Sequence, residues 1–138
     1  MKKLLSACAQ APDASTGSSA GSSTSAAGKD NSNSGEFKAC MVSDSAGFND
    51  KSFNETSLQG LNKAASDLGV KTAKVESKDD KDYATNLQSM VDAKCSIIVS
   101  VGFLLEKPTL AAAKANPNVK FAIVDDNPAN PPENLKPL

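Results

Sequence analysis

The chain has 138 residues, which is enough for one domain with a hydrophobic core. Its formal net charge is −1 and its basic residues are scattered, which argues against nucleic acid as a partner. The absence of histidine excludes catalysis by Ser-His or Cys-His pairs and any zinc site that needs imidazole.

Residues 1–8 are typical of a shortened lipoprotein signal. Met1-Lys2-Lys3 is a basic start, and Leu5-Ser6-Ala7-Cys8 is similar to a bacterial lipobox, in which the cysteine receives a lipid. A complete signal has roughly 7–15 apolar residues between these parts. Only Leu4 and Leu5 stand in that place here. We expect lipidation at Cys8, and the alternative is a chance match to the lipobox.

Residues 9–36 consist mainly of Ser, Ala, Gly, Thr and Asn. Such a segment buries too little apolar surface to offset its ordering entropy, so it is predicted to be a flexible tether. The sequence contains no run of about 18 apolar residues that would cross a bilayer.

From residue 37 onward, strand and helix patterns alternate in the order β-α-β-α-β-α-β. This order predicts an α/β fold, a parallel sheet with right-handed crossovers and flanking helices. The third strand is a continuous β-branched run, which indicates a central position, whereas the second strand alternates in polarity and belongs nearer an edge. The predicted strands are Phe37–Val42, Val70–Val75, Ile97–Val101 and Val119–Val124.

Three helices connect the predicted strands. The first, Asp50–Leu68, has an apolar stripe formed by Leu58, Leu61, Ala65 and Leu68, and Gly69 is its expected stop. The second, Asp82–Ala93, buries Tyr83, Leu87, Met90 and Val91, and Asp79, Asp80 or Asp82 lies near its N-cap. The third has Pro108 in its first turn and extends to Ala115.

Residues 127–138 contain four prolines and show no periodicity. We interpret them as a proline-rich tail without a fifth strand. The folded part is therefore predicted to span residues 37–126, and the whole chain to be a fragment of a longer protein.

The junction at residues 41–54 is the best candidate for a binding site. The first strand leads through a turn of small and acidic residues into the first helix, and ligands of open α/β sheets bind at this end of the strands. The junction contains Asp44, Asn49, Asp50 and Phe53. A carboxylate, an amide and an aromatic ring suit a small polar ligand with a flat face better than they suit catalysis.

Several separated motifs resemble the basic membrane protein family of bacterial lipoproteins, which are substrate-binding components of ABC importers and include the purine nucleoside receptors. The resemblance implies a flavodoxin-like first lobe of a type I periplasmic binding protein, truncated before its second lobe. It extends over about residues 37–126. The motifs are Asp44–Asn54, Tyr83–Leu87, Cys95–Leu105 and Ala113–Asp125.

The resemblance also implies roles for individual residues. Asp44 matches an acidic residue of the nucleoside cleft, and Phe53 matches a ring that stacks on the base, with a core contact as the alternative for Phe53. Asp125 would contact a ribose hydroxyl or a base nitrogen. Asn49 and Asp50 are also good N-cap residues, which is the use we favour for them. The candidate ligand-binding residues are Asp44, Ser45, Asn49, Asp50, Phe53, Gly102, Phe103 and Asp125.

The function implied is capture of a small ligand, a purine nucleoside, for delivery to an ABC transporter permease, without catalysis and without a cofactor. Lipidated Cys8 would hold the protein at the extracytoplasmic face of a bacterial cell membrane. The alternative is a receiver-like or Mg²⁺-binding signalling or enzymatic domain that uses Asp44, Asp125 and Asp126. Against it, the third strand does not end in aspartate and no glycine-rich phosphate motif occurs.

Two further cysteines, Cys40 and Cys95, belong to the predicted lobe. In the strand order 2-1-3 that is usual for such lobes, Ile98 lies opposite Cys40, which leaves Cys95 several residues out of register. We therefore expect two separate thiols rather than a disulfide.

Overall fold

The computed structural model describes residues 36–138. Within that range, Phe37–Leu138 form one compact unit. Cys8, where lipidation is predicted, lies outside the described range. The predicted tether, residues 9–36, also lies outside it, except for Glu36. No helix in the described range has both the length and the apolar character that crossing a membrane requires.

A five-stranded parallel sheet forms the centre of this unit. Its strands are β1 (Lys38–Ser43), β2 (Lys71–Val75), β3 (Ile97–Val101), β4 (Lys120–Val124) and β5 (Leu135–Pro137). They lie in the order β2-β1-β3-β4-β5. The predictions of a parallel sheet, of an edge position for β2 and of a central β3 are confirmed.

The fifth strand shows that the prediction of a strandless tail was wrong. Backbone hydrogen bonds join β5 to β4: the Phe121 N–H donates to the Asn134 carbonyl over 2.7 Å, and the Leu138 N–H donates to the Ile123 carbonyl over 2.8 Å. Only Leu135 of the strand is fully buried. A three-residue strand is too short to show a period, and Pro137 is tolerated because β5 is an edge strand.

Three α-helices and one 3₁₀ turn connect the strands. The α-helices are α1 (Phe53–Leu68), α2 (Asp82–Asp92) and α3 (Glu106–Ala115), and the 3₁₀ turn is Phe103–Leu105. Helix α1 begins three residues later than predicted, because Asp50 lies in the turn before it. Gly69 ends α1 as predicted, with a φ of 70° and its N–H donating to the Ala65 carbonyl.

Residues alternate between the two faces of the sheet, and each face has its own core. Helices α2 and α3 pack on one face, against residues such as Val42, Ile98 and Ile123. Helix α1 packs on the other face, where Leu61 lies with Ala39 and Met41 of β1. We call these the two-helix face and the one-helix face.

The predicted buried faces of the helices are largely confirmed. In α2, Tyr83, Leu87 and Met90 are buried. In α1, however, Leu68 is 75% exposed, so its predicted place in the apolar stripe is wrong. Leu68 is the last residue of α1 and lies two turns after Leu61, beyond the buried part of the helix.

The prediction of separate thiols is also wrong, because Cys40 and Cys95 form a disulfide with a Cα–Cα distance of 5.9 Å. Cys40 does lie opposite Ile98, but Cys95 precedes β3 and is not bound by its register. Lys94 has a left-handed backbone, with a φ of 63°, and the Cys95 N–H donates to the Met90 carbonyl. This turn places Cys95 in the core of the two-helix face, together with Cys40.

Candidate functional site

The carboxyl ends of β1, β3 and β4 bring three predicted site residues to one edge of the sheet. Asp44 follows β1, Gly102 follows β3 and Asp125 follows β4. The Gly102 N–H donates to the Val124 carbonyl over 3.0 Å, which ties the end of β3 to that of β4. A β-carbon built on Gly102 would lie 2.6 Å from Asp44 Oδ2. The Asp44 carboxylate therefore lies directly against Gly102.

The Asp44 carboxylate is half-buried and held in one orientation. Its Oδ1 accepts a hydrogen bond from the Ala46 N–H over 2.9 Å and another from Asn54 Nδ2 over 2.8 Å. The Asp44 carbonyl accepts the Gly47 N–H over 3.1 Å, so the loop turns tightly around the aspartate. Gly47 has a φ of 74°, which favours glycine at this turn.

Asn54 is the residue of this site that sequence reasoning missed. It is 2% exposed, and its Nδ2 donates to Asp44 Oδ1 and, over 3.0 Å, to Asp50 Oδ2. A signal was available, because asparagine is a poor helix former and lies here in the first turn of a helix.

Asp50 organises the start of α1. Its two carboxylate oxygens accept the backbone N–H groups of Ser52, Asn54 and Glu55 at 2.8–3.0 Å. Desolvation raises the pKa of Asp50, but hydrogen bonds from the backbones of Glu55, Ser52 and Asn54 and from the Asn54 side chain outweigh it and lower the pKa to about 2. The capping use predicted for Asp50 is thus confirmed by its hydrogen bonds, whereas the neighbouring Asn49 is exposed.

The two aromatic rings of this junction occupy different environments. Phe53, the first residue of α1, is 53% exposed, so the alternative of a core contact is not supported. Phe48 is instead the buried ring and packs with Met41 and Leu61 on the one-helix face. The Phe48 N–H donates to Glu76 Oε2 over 3.0 Å, which fixes the loop between Asp44 and α1.

Phe103 borders a separate depression beside this edge. It is 61% exposed and lies in the 3₁₀ turn after Gly102. The depression has a volume of about 370 Å³ and lies between α2 and α3. It is lined by Asp80, Tyr83, Ala84, Phe103, Leu104, Glu106, Lys107 and Pro108.

The remaining predicted site residues are at the surface. Ser45 is exposed, and so is Asp125, which has a left-handed φ of 64°. The next residue, Asp126, has a buried Oδ2 without a hydrogen-bond partner among the described residues. In residues 36–138 no group of three or more Cys, Asp or Glu side chains is arranged to hold a metal ion.

Comparison with known proteins gives consistent matches. Residues 37–135 match a family model described as ABC transporter substrate-binding protein, PnrA-like. The chain is 35% identical over 94 residues to the ABC transporter nucleoside-binding protein BmpA of Lactococcus lactis subsp. cremoris. That match covers 65% of this chain and 27% of BmpA, so the chain spans about a quarter of that relative's length.

Solved structures share the fold. A lipoprotein fragment from Peptoclostridium difficile 630 aligns with a TM-score of 0.69 and 29% identity, covering 75% of this chain and 84% of that one. A solute-binding protein of an ABC transporter system from Aeropyrum pernix K1 aligns with a TM-score of 0.67 and 24% identity, covering 73% of this chain and 28% of that one. The parallel sheet with flanking helices is thus the fold of one lobe of periplasmic solute-binding proteins.

Proposed function

Because the chain belongs to the PnrA-like family of ABC transporter substrate-binding proteins, we propose that residues 37–138, which form one compact unit with β5 in its sheet, belong to the first lobe of a nucleoside receptor. The lobe supplies one wall of a cleft that takes a purine nucleoside. In the complete receptor, a second lobe closes over the ligand, and the closed form delivers it to a transporter permease. Lipidated Cys8 anchors the receptor at the extracytoplasmic face of the membrane.

The observation that carries this proposal is that the fixed carboxylate of Asp44, after β1, occurs together with the exposed ring of Phe53, at the start of α1. Asp44 Oδ1 is occupied by two donors, and among the described residues no donor reaches Asp44 Oδ2. That oxygen is available to a ligand hydroxyl or N–H. Phe53 is nine residues further along the chain and 53% exposed, which suits stacking on a flat base. Base–aromatic stacking is worth about 1–3 kcal/mol per base.

The same edge suits binding rather than chemistry. Backbone and amide donors hold Asp44 Oδ1 and both oxygens of Asp50, which leaves Asp44 Oδ2 as the acceptor for a ligand. The chain has no histidine to act as a general base. Hydrogen-bond acceptors and an aromatic ring suit a neutral ligand that donates hydrogen bonds. Such a site binds the ligand without changing the ligand's covalent bonds.

The proposal predicts weak binding by this chain alone, because one lobe provides only half of the contacts. Chemical-shift changes in a ¹H–¹⁵N NMR titration with millimolar inosine, guanosine or adenosine are expected at Asp44, Phe53 and Gly102. Calorimetry on the same samples should detect no tight binding. Submicromolar affinity would contradict the half-cleft, and shift changes confined to other residues would contradict the site.

Two variants test the proposed contacts against matched controls. Asp44→Ala and Phe53→Ala should each abolish most of the shift changes. Phe37→Ala is the control for Phe53, because Phe37 is also 53% exposed but precedes β1 at the opposite end of the strand. Asp79→Ala is the control for Asp44, because Asp79 also accepts the N–H two residues later, that of Lys81. Equal losses in a variant and its control would contradict the assigned role.

A further inference from the structure

On the basis of the proposed function, we infer that Asn54 is a positioning residue that holds the Asp44 carboxylate for the ligand. It touches no ligand in this role. Its amide fixes one oxygen of Asp44, and the other oxygen is left at the open edge of the sheet. Gly102 provides the space in which that second oxygen lies.

The orientation of the Asn54 amide follows from its partners. Nδ2 lies 2.8 Å from Asp44 Oδ1 and 3.0 Å from Asp50 Oδ2. An ionised carboxylate only accepts hydrogen bonds, so the nitrogen of the amide must face both aspartates. Both N–H groups of Asn54 are then used, one for each carboxylate. Asp44 is thereby linked to the capping residue of α1.

Gly102 completes the arrangement from the other side. A β-carbon at position 102 would lie 2.6 Å from Asp44 Oδ2, closer than real contacts allow. Gly102 also has a φ of 108°, a conformation that other residues rarely adopt. Asn54 therefore binds one oxygen of Asp44, and the missing side chain of Gly102 leaves space for the other oxygen.

A purely structural role does not account for asparagine at this position. Asn54 is 2% exposed, and its Oδ1 has no hydrogen-bond partner among residues 36–138. A buried acceptor without a donor destabilises the folded state, and asparagine is also a poor helix former. The backbone N–H of residue 54 would donate to the Asp50 carboxylate whatever side chain stood at position 54. What only the amide provides is the pair of bonds to Asp44 and Asp50, which links the Asp44 carboxylate to the capping residue of α1.

The first test needs no ligand. NMR scalar couplings that report the χ1 rotamer of Asp44 should show a single rotamer in the unmodified chain. In Asn54→Ala and Asn54→Leu, the couplings should show rotamer averaging. Asn54→Leu keeps the number and branching of the side-chain heavy atoms and removes the unpartnered oxygen, so it is the second variant to use if Asn54→Ala is too unstable. The control is Leu61→Ala, which weakens the packing of α1 and should leave Asp44 in one rotamer.

The second test connects the rotamer to binding through a double-mutant cycle. With Asp44 present, Asn54→Leu should raise about tenfold the inosine concentration that gives half of the shift change at Phe53. An effect of this size is expected when a hydrogen bond to a charged group is lost. Asp44→Ala leaves only a small residual response, and in that background Asn54→Leu should not weaken the residual response further, because the carboxylate that Asn54 positions is already gone. Equal effects in both backgrounds would overturn the positioning role.

The two tests separate this inference from the proposed function. If the unmodified chain shows no response to any nucleoside, the proposed function fails, and the Asp44 couplings still decide what Asn54 does. If Asp44 keeps a single rotamer in both Asn54 variants, the positioning role is overturned even where nucleosides bind.

Discussion

On the two-helix face of the sheet, twelve buried residues and the disulfide form one core, whereas on the one-helix face the core has five buried residues. The candidate site draws Phe53 and Asn54 from α1, the helix of the smaller core. Hydrogen bonds of Asp50 and Asn54 add to the attachment of α1 at its N-terminus. A lobe built this way has one side that is held by a large core and one side whose local stability depends on polar contacts.

One large effect that tests this comparison is loss of the disulfide. Cys40 and Cys95 are 55 residues apart in sequence, and closing a loop of that size stabilises the folded state by about 4 kcal/mol in the chain-entropy model. Reduction should therefore lower the free energy of unfolding by roughly this amount, measured by urea denaturation with and without reductant. A Cys8→Ser background serves as the control against mispairing. A loss below about 1 kcal/mol would mean that the two-helix face does not depend on the disulfide.

A matched pair of leucine truncations compares the two faces directly. Leu87 of α2 is fully buried and Leu61 of α1 is 7% exposed. Leu87→Ala should destabilise the fold by about 3–5 kcal/mol and Leu61→Ala by about 2–3 kcal/mol, because the smaller core relaxes more easily around the cavity. Urea denaturation of both variants measures the difference. Equal losses, or a larger loss for Leu61→Ala, would show that the one-helix face is packed as rigidly as the other.

The same contrast explains which parts of the fold the sequence could predict. α2, which has a clear apolar period, and β3, which is a continuous β-branched run, were predicted within a residue of their bounds. β5 was missed because three residues show no period. The residue before it, Asn134, accepts the Phe121 N–H at its carbonyl, and its Nδ2 shares two hydrogens among the carbonyls of Ala113, Asn116 and Val119. Pairing of that kind depends on residues far apart in sequence.

The candidate site was predictable in position but not in its internal contacts. The junction after β1, with Asp44 and Phe53, follows from the strand–turn–helix pattern and sheet topology, and the resemblance to a family supplied the roles of these two residues. The link from Asn54 to two aspartates and the close approach of Gly102 to Asp44 require coordinates, because they join residues 4, 10 and 58 positions apart through side-chain geometry. The disulfide was mispredicted for the same reason. The turn at Lys94, not the strand register, decides where Cys95 lies.

Gly102→Ala tests whether the hydrogen-bonded site around Asp44 can be changed without changing the two cores. The added methyl group would meet Asp44 Oδ2 at 2.6 Å, and its backbone φ of 108° is strained for alanine. The expected loss of unfolding free energy is about 1–3 kcal/mol, together with displacement of Asp44 from its rotamer. Urea denaturation and the Asp44 couplings measure the two effects. Gly60→Ala is the control, because a β-carbon there meets no atom within 4 Å. An unchanged Asp44 rotamer in Gly102→Ala would show that this contact does not define the site.

The smallest expected effect is a dependence of stability on pH at the start of α1. The pKa of Asp50 falls from 3.8 to about 2 in the folded state. A carboxyl group whose pKa is lowered by folding adds stability that is fully present above its unfolded pKa, near pH 4, and is lost as the pH falls through about 2.

Asp50→Asn isolates this contribution. The variant should be less stable than the unmodified chain at pH 6, and the difference should shrink as the pH is lowered from 4 to 2, because only the unmodified chain loses the charged cap. Thermal unfolding followed by circular dichroism across this range measures it. Asp92→Asn is the control, since Asp92 ends α2 and caps no helix N-terminus. A difference between Asp50→Asn and the unmodified chain that stays constant down to pH 2 would mean that α1 is held by its five-residue core alone, without the charge of Asp50.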